Sequence, residues 1–586
     1  MAAAEGAPTL LDLLLRPGRE SSRDVTLDVL WLLGLGLLLI GTGLGLRDPW
    51  APDEPRFALV AQDMLRSGDW LFPRVGGDLY ADKPPLFFWL IASATAATGS
   101  LRIGFLLPSL LAGLGTVMLA YDLMRRARGR EVGLATGFVL LLTFQFVWQA
   151  RQAQIDAVLC FLTTLSLYGL LRHLCLGPAR GWFLAGWAAA GLGVITKGVG
   201  FLPLLALLPF AVLVRRRWRA AVPRVGALGV AGAVAMLIAI GLWLVPMLVA
   251  STAGGDLLAY RNEILFRQTV TRYADAWHHH APVYYYFVEI IPLFWLPLIA
   301  LVPWLWPRWR EAMRGRSTLI AVLLAWVVIV VLFFTVSTGK RTLYILPAVP
   351  ALAMAAGPWL PELLRARGPR RLAFGLGCAI AAVAGLATVF LAVQPDRARH
   401  VADLYGINPV LPLLGLAICT AAVLAVLRVR DGWLAYAGVL AAVLVFTGLV
   451  VYPGINDVRS GRAFMAHVEQ ASAGIPELAL VGAKEQYLLQ LRRPTVNFGN
   501  ARALERDDEA NDAAAWLAAD PARGVVMGKR ARDRCFGDAS AVSLGKANNQ
   551  HWFLVTGAPD AACVSAGDPA AARYYLPPDV ALNTGG

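Results

Sequence analysis

Long apolar runs alternate with short polar turns as far as residue 452, and this rhythm predicts a bundle of membrane helices. The runs lie at 25–46, 84–98, 101–124, 131–149, 154–172, 182–196, 199–214, 226–250, 282–306, 317–336, 343–363, 371–393, 408–428 and 433–452. Most approach the roughly twenty residues that an α-helix needs to cross a bilayer. The run 84–98 is the shortest and opens on Pro84-Pro85. It reads as an interfacial helix along the outer surface, which leaves about thirteen spanning helices.

Charge supports that choice. The basic loops are Arg125–Arg130, Arg215–Arg219, Arg308–Arg316, Arg365–Arg371 and Arg428–Arg430. Short loops rich in Lys and Arg stay in the cytoplasm, and with 84–98 set aside all five fall on that side together with the N-terminus. Arg397 and Arg399 then lie in an outer loop, against the trend. The same alternation places 47–100, the turn near 150–155, Thr196-Lys197-Gly198, 251–281, 337–342 and everything beyond 453 on the outer face. Asp53, Lys83, Asp156, Lys197, Arg267, His278-His279-His280 and Lys340-Arg341 thus converge on one side, as active-site residues do.

Residues 456–586 break the rhythm. Strand-like stretches at Leu478–Val481, Gly524–Met527 and Trp552–Val555 are separated by turn residues, predicting a small mixed α/β domain. The expected organisation is a cytoplasmic N-terminus (1–24), an all-α polytopic membrane domain (25–455) whose first outer loop is 47–100, and a soluble outer domain (456–586). No cleavable signal peptide is expected, because 25–46 is too long for a signal core and follows Glu5, Asp12 and Arg16.

Composition agrees: 58% of the 586 residues are hydrophobic and 16% charged. A net charge of +14 would suggest nucleic acid in a soluble protein, but here it collects in short loops, and no nucleic-acid partner is expected. Cys160, Cys175, Cys378 and Cys419 fall in apolar runs. Cys535 and Cys563 lie in the tail, where a disulfide forms only if that domain is outside the cytoplasm. A Walker loop, a dinucleotide fingerprint and a G-x-S-x-G elbow are all lacking. A secondary transporter would place charges at mid-bilayer in broken helices of two related halves; here they sit at helix ends and no half-repeat is visible.

The chemistry starts at Asp53-Glu54-x-Arg56, directly after the first apolar run. A carboxylate there is either one half of a solvated ion pair or a catalytic group that takes a proton or stabilises positive charge on a sugar. Tyr80-x-Asp82-Lys83-Pro84-Pro85 offers a Lys whose direction the prolines restrict, suited to a lipid phosphate or to snorkelling at the interface. Asp156 opens an apolar run and is either a helix cap or a second catalytic carboxylate. Lys197, Lys340 and Arg341 join Lys83 and Arg56 as a cation cluster matched to phosphate. Three consecutive histidines cannot all face one metal on a regular element. A zinc site would combine His279 and His280 with Asp82 or Glu263.

Taken in order, Asp53-Glu54-x-Arg56, Gly68-Asp69-Trp70, Asp82-Lys83-Pro84-Pro85-Leu86, Asp156, Thr196-Lys197-Gly198 and Tyr344-Ile345-Leu346-Pro347 resemble the integral-membrane GT-C glycosyltransferases. The similarity covers roughly 25–350 and is nearest to the branch of lipid A aminoarabinose transferases, related to protein O-mannosyltransferases. It implies a monomeric inverting enzyme of the bacterial inner membrane with its site and C-terminal domain facing the periplasm. The implied donor is a sugar on undecaprenyl phosphate, and the acceptor is lipid A phosphate, a protein or another envelope glycan. No cofactor is required by this resemblance. By it, Asp53 matches the essential first-loop carboxylate, with Asp156 as a second catalytic candidate. Lys83, Arg56, Lys197, Lys340 and Arg341 would receive the donor phosphate. Tyr80, Tyr344, Arg267 and Glu54 would line the cavity, Glu54 as a structural neighbour of Asp53. Phe57 and Asp82 depart from the pattern, which has Tyr and Glu there.

Overall fold

The first apolar run becomes helix Ser22–Gly36, started by a capping box in which Ser21 and Asp24 satisfy each other's backbone N–H groups. It runs into a π-helical turn, Leu37–Gly41. Arg151 is buried there and donates to the carbonyls of Leu39, Thr42 and Leu444, tying the end of this helix to two others. The computed structural model describes residues 21–218, 223, 225–266, 281–482, 484–499, 506–537 and 541–576.

Among the described residues, 8 helices are long and apolar enough to cross a membrane, and 11 spans result if each of three bent pairs counts as one. The bends measure 70°, 94° and 101°. The difference from about thirteen lies in two runs. The run 182–196 forms helix Arg180–Lys197, with a charged residue at each end. The run 199–214 divides into a 3-10 turn, Leu202–Ala206, and a short helix, Leu207–Arg215. Helix Leu86–Thr98 has 13 residues, and at about 1.5 Å per residue it reaches ~20 Å, short of a ~30 Å hydrocarbon core.

Close helix contact prepares the site. Helices Ile155–Leu174 and Arg180–Lys197 touch at Gly169 and Gly186, where a Cβ on Gly169 would lie 2.2 Å from the Trp182 carbonyl oxygen. Small residues permit this approach. The two helices run antiparallel, so the start of one, bearing Asp156, meets the end of the other, bearing Lys197.

The C-terminal region builds a mixed six-stranded sheet in the order β6-β7-β5-β3-β4-β8. Its strands are β3 (Glu477–Leu480), β4 (Thr495–Asn497), β5 (Arg523–Gly528), β6 (Ala541–Ala547), β7 (Gln550–Val555) and β8 (Arg573–Tyr575). Strand β3 pairs in parallel with β4 and β5, and the other pairings are antiparallel. Alternate side chains point to opposite faces of a strand, and each face has its own core. Ala479, Val525 and Met527 pack with Ala510 and Trp516 of helix Arg506–Ala518 and with Cys535. Leu478, Leu480, Val526 and Trp552 pack instead with Phe57, Met64, Val75, Tyr80 and Phe87 of the first loop. The domain therefore shares a hydrophobic core with loop 47–100. Cys535 and Cys563 are disulfide-bonded.

Candidate functional site

Loop 47–100 is held rigidly. Glu54, in the first turn of helix Glu54–Ser67, accepts from both terminal nitrogens of Arg47 and from the backbone N–H groups of Trp50 and Ala153. Asp48 pairs with Arg102 and Arg462 and accepts from Asn456. A short hairpin, β1 (Arg74–Val75) with β2 (Asp78–Leu79), then leads to Tyr80.

Asp53 directly precedes helix Glu54–Ser67 and lies in a different environment from its neighbour. Its Oδ2 accepts from Arg341 Nη2 at 2.7 Å, and its side chain keeps 17% of its exposure against 7% for Glu54. Among the described residues its other oxygen, Oδ1, accepts no hydrogen bond from the protein. Where Glu54 is fully engaged, Asp53 presents an acceptor edge.

Asp156 occupies the first turn of helix Ile155–Leu174 without capping it, so the helix-cap reading does not hold. Its carboxylate instead accepts from Lys197 Nζ, and the same ammonium lies 4.3 Å from the centre of the Tyr344 ring. The Tyr344 backbone N–H in turn donates to the Arg341 carbonyl at 3.1 Å. The two carboxylate–cation pairs, Asp53–Arg341 and Asp156–Lys197, thus form one charged cluster.

The turn bearing Arg341 is pinned from below. Tyr286 donates through its hydroxyl to the Arg341 carbonyl, Gln145 donates to the Thr342 carbonyl, and Trp295 holds the Gln145 side-chain oxygen. Lys340 turns differently from Arg341: its buried ammonium donates to the carbonyls of Ser337 and Ala281.

In the helix that follows Asp53, Arg56 Nε donates to Glu485 Oε1 at 2.6 Å, and its guanidinium lies 6.0 Å from the centre of the Tyr80 ring. Burial works against the Arg56 charge, but Glu485 and Tyr80 outweigh it and keep its pKa above the ordinary arginine value. Burial also pushes the Tyr80 phenol up, reinforced by Asp82 and opposed by Arg56. Tyr80 therefore stays protonated at neutral pH and available as a hydrogen-bond donor. Lys83 Nζ donates to the Asp82 carbonyl in the turn just before helix Leu86–Thr98.

Arg267, His279 and His280 lie outside the described residues. Among the described residues there is no group of three or more His, Cys, Asp or Glu side chains suited to a metal. Sequence reasoning missed Glu485, Tyr286 and Gln145. Gln145 had a signal, since a polar side chain inside an apolar run is costly. Glu485 had none, because it lies 429 residues from Arg56 along the chain.

The arrangement combines two carboxylates, several cations and buried phenols at the ends of membrane helices, a composition able to bind an anion beside a group acquiring positive charge. A profile of the dolichyl-phosphate-mannose-protein mannosyltransferase family matches residues 82–243. Undecaprenyl phosphate-alpha-4-amino-4-deoxy-L-arabinose arabinosyl transferase 1 of Pseudomonas fluorescens is 30% identical over 492 residues, 80% of this chain and 85% of that protein. The corresponding transferase of Pseudomonas aeruginosa is 32% identical over 369 residues, 60% of this chain and 64% of that protein. The crystal structure of ArnT from Cupriavidus metallidurans bound to undecaprenyl phosphate shares the fold, with a TM-score of 0.70 at 22% identity over 91% of this chain and 98% of that one.

Proposed function

The chain belongs to the undecaprenyl phosphate-alpha-4-amino-4-deoxy-L-arabinose arabinosyl transferases, and from that premise we propose that it moves this aminoarabinose from undecaprenyl phosphate to a phosphate of lipid A. It is a lipid-phosphate-sugar-dependent glycosyltransferase of a multi-pass membrane protein family. The observation that supports the assignment of the site is the meeting of the Asp53–Arg341 and Asp156–Lys197 pairs at the turn that carries Arg341 and Tyr344.

In this reading the acceptor oxygen attacks the anomeric carbon as the bond to the polyprenyl phosphate breaks, in a single inverting displacement. Negative charge develops on the leaving phosphate. Lys83, Arg56, Lys197 and Arg341 stabilise it, and Tyr80 donates a further hydrogen bond. A lipid A phosphate is already anionic at neutral pH, so Asp53 need not remove a proton. Its open edge orients the donor and stabilises positive charge on the sugar ring. Asp156 holds Lys197 in place and adds to that field. Lys340 contributes charge from behind the turn. This chemistry calls on no metal.

In the same reading Arg180–Lys197 and Leu202–Arg215 also span, which makes thirteen with the eleven that length and composition support, and the site and residues 456–586 face the periplasm from the inner membrane. The Cys535–Cys563 disulfide supports that orientation, since such bonds persist in oxidising compartments. Mass spectrometry of lipid A and membrane glycans from cells with and without the gene tests the function. The expected result is aminoarabinose on lipid A phosphate only when the gene is present. Unchanged lipid A with an altered protein or glycan would overturn the acceptor while keeping the transfer.

A further inference from the structure

The C-terminal domain reaches the site through one carboxylate. Glu485 opens a single helical turn, Glu485–Leu488, and the next residues fix it firmly. Tyr487 packs against Phe464 and Trp552, with ring centres 5.1 and 5.5 Å away, and Phe464 and Trp552 also touch each other. Trp552 belongs to β7, so this aromatic triad anchors the turn to the sheet. The result is a 13% exposed Glu485 carboxylate held 2.6 Å from Arg56 Nε.

The domain also grips the other half of the Arg56–Tyr80 pair. Arg573 of β8 pairs with Asp78 of the hairpin that delivers Tyr80. Tyr575 reaches Asp63 on the helix that carries Arg56. Arg has five N–H donors in a planar fork, so a carboxylate fixed on Nε sets the plane in which the two terminal nitrogens lie. A guanidinium free to rotate would have to be ordered when an anion binds, and that ordering weakens affinity.

We propose that Glu485 is a positioning residue for the donor: it holds the Arg56 guanidinium beside Tyr80 in the orientation that receives the phosphate of the polyprenyl lipid. The C-terminal domain is thereby part of the donor site. This rests on the reading that Arg56 meets the donor phosphate.

The test uses full-length purified protein and undecaprenyl phosphate itself as the probe, with binding measured for wild type, Glu485→Ala, Glu485→Gln, Arg56→Ala and the Arg56→Ala/Glu485→Ala double variant. Thermal melting is recorded for each, and donor and acceptor KM are measured alongside. Glu485→Ala is expected to weaken binding about tenfold, as coupled neighbours do. It should raise the donor KM and leave the acceptor KM unchanged, a split that mere loss of folding would not produce. Glu485→Gln keeps an acceptor for Nε and should recover most of the affinity. The double variant should bind no more weakly than Arg56→Ala alone. Glu485→Ala binding within twofold of wild type while Arg56→Ala is impaired would overturn the proposal, as would losses that multiply in the double variant. If wild type binds the lipid and shows this coupling but transfers another sugar, the function is wrong and the positioning role stands. If wild type does not bind the lipid at all, both fall.

Discussion

Asp28 and Asp53 stand at opposite ends of the first membrane helix, and each pairs with a distant arginine. At the end carrying the arginine-rich loops, Asp28 is 2% exposed; Arg130 binds both of its oxygens and the Tyr121 hydroxyl donates to it as well. At the end carrying the C-terminal domain, Asp53 has Arg341 on one oxygen and an open edge on the other. The turn that carries Arg341 also carries Tyr344, whose ring centre lies 4.3 Å from the Lys197 ammonium that pairs with Asp156, so a second carboxylate–cation pair adjoins that of Asp53. Burial and an ion pair therefore do not mark a site. What marks it is incomplete satisfaction within a coupled cluster, because a group already surrounded by donors has nothing left for a substrate.

The widest separation of the two ends should come from their cations. Replacing both Arg341 and Lys197, as Arg341→Ala/Lys197→Met, removes charge where the leaving phosphate develops it and should lower kcat by about 10³-fold. Arg130→Ala at the other end should leave kcat of the folded enzyme within about twofold. Loss of activity in Arg130→Ala protein with a wild-type melting curve would break the distinction.

Stability should show the reverse ordering. Asp28→Asn leaves the half-buried Arg130 beside a neutral partner and should cost about 2 kcal/mol, read as a lower melting temperature. Glu54→Gln should behave like it, since Glu54 resembles Asp28 in its engagement with Arg47.

The disulfide isolates the contribution of the outer domain. Cys535→Ser/Cys563→Ser opens a loop with a sequence separation of 28 and should destabilise that domain by about 3 kcal/mol. Hydrogen exchange should quicken in β5 and β7 and leave the helices around Asp28 unaffected.

A smaller effect depends on pH. Burial pushes Asp63 up to about 6, against the opposing charge of Arg66. A folded pKa raised above the ordinary 3.8 means that the protonated form favours docking. That stability is fully present below pH ~4 and is lost as pH rises through ~6, on the order of 2 kcal/mol in all. Exchange near Tyr575 should speed up across this window in wild type, and Asp63→Asn should flatten the dependence.

These contrasts also show what the chain discloses before it folds. The apolar runs and the charge bias place Asp53, Asp156, Lys197 and Arg341 on one side, because hydrocarbon length and loop charge are local properties. Leu478, Leu480 and Trp552 lie in stretches that read as strands, and they are found in strands. Local sequence does not disclose that Arg47 engages Glu54, that Asn456 closes on Asp48 across 408 residues, or that Glu485 reaches Arg56. The contact of Glu485 with Arg56 exists only once the C-terminal sheet shares its core with the first loop. Lys340 shows the same limit: its position in a cationic turn is legible, but the carbonyls of Ala281 and Ser337 that it meets are not.

The most direct test of the central claim is the rate of aminoarabinose transfer from undecaprenyl phosphate to lipid A by purified full-length Asp53→Asn, compared with Asp28→Asn and corrected for folded protein. The expected result is a loss of at least about a hundredfold for Asp53→Asn, whose charge stabilises the sugar ring, at an unchanged melting temperature, with Asp28→Asn less stable yet near the wild-type rate. Near-normal transfer by Asp53→Asn would contradict the account and remove Asp53 from the mechanism.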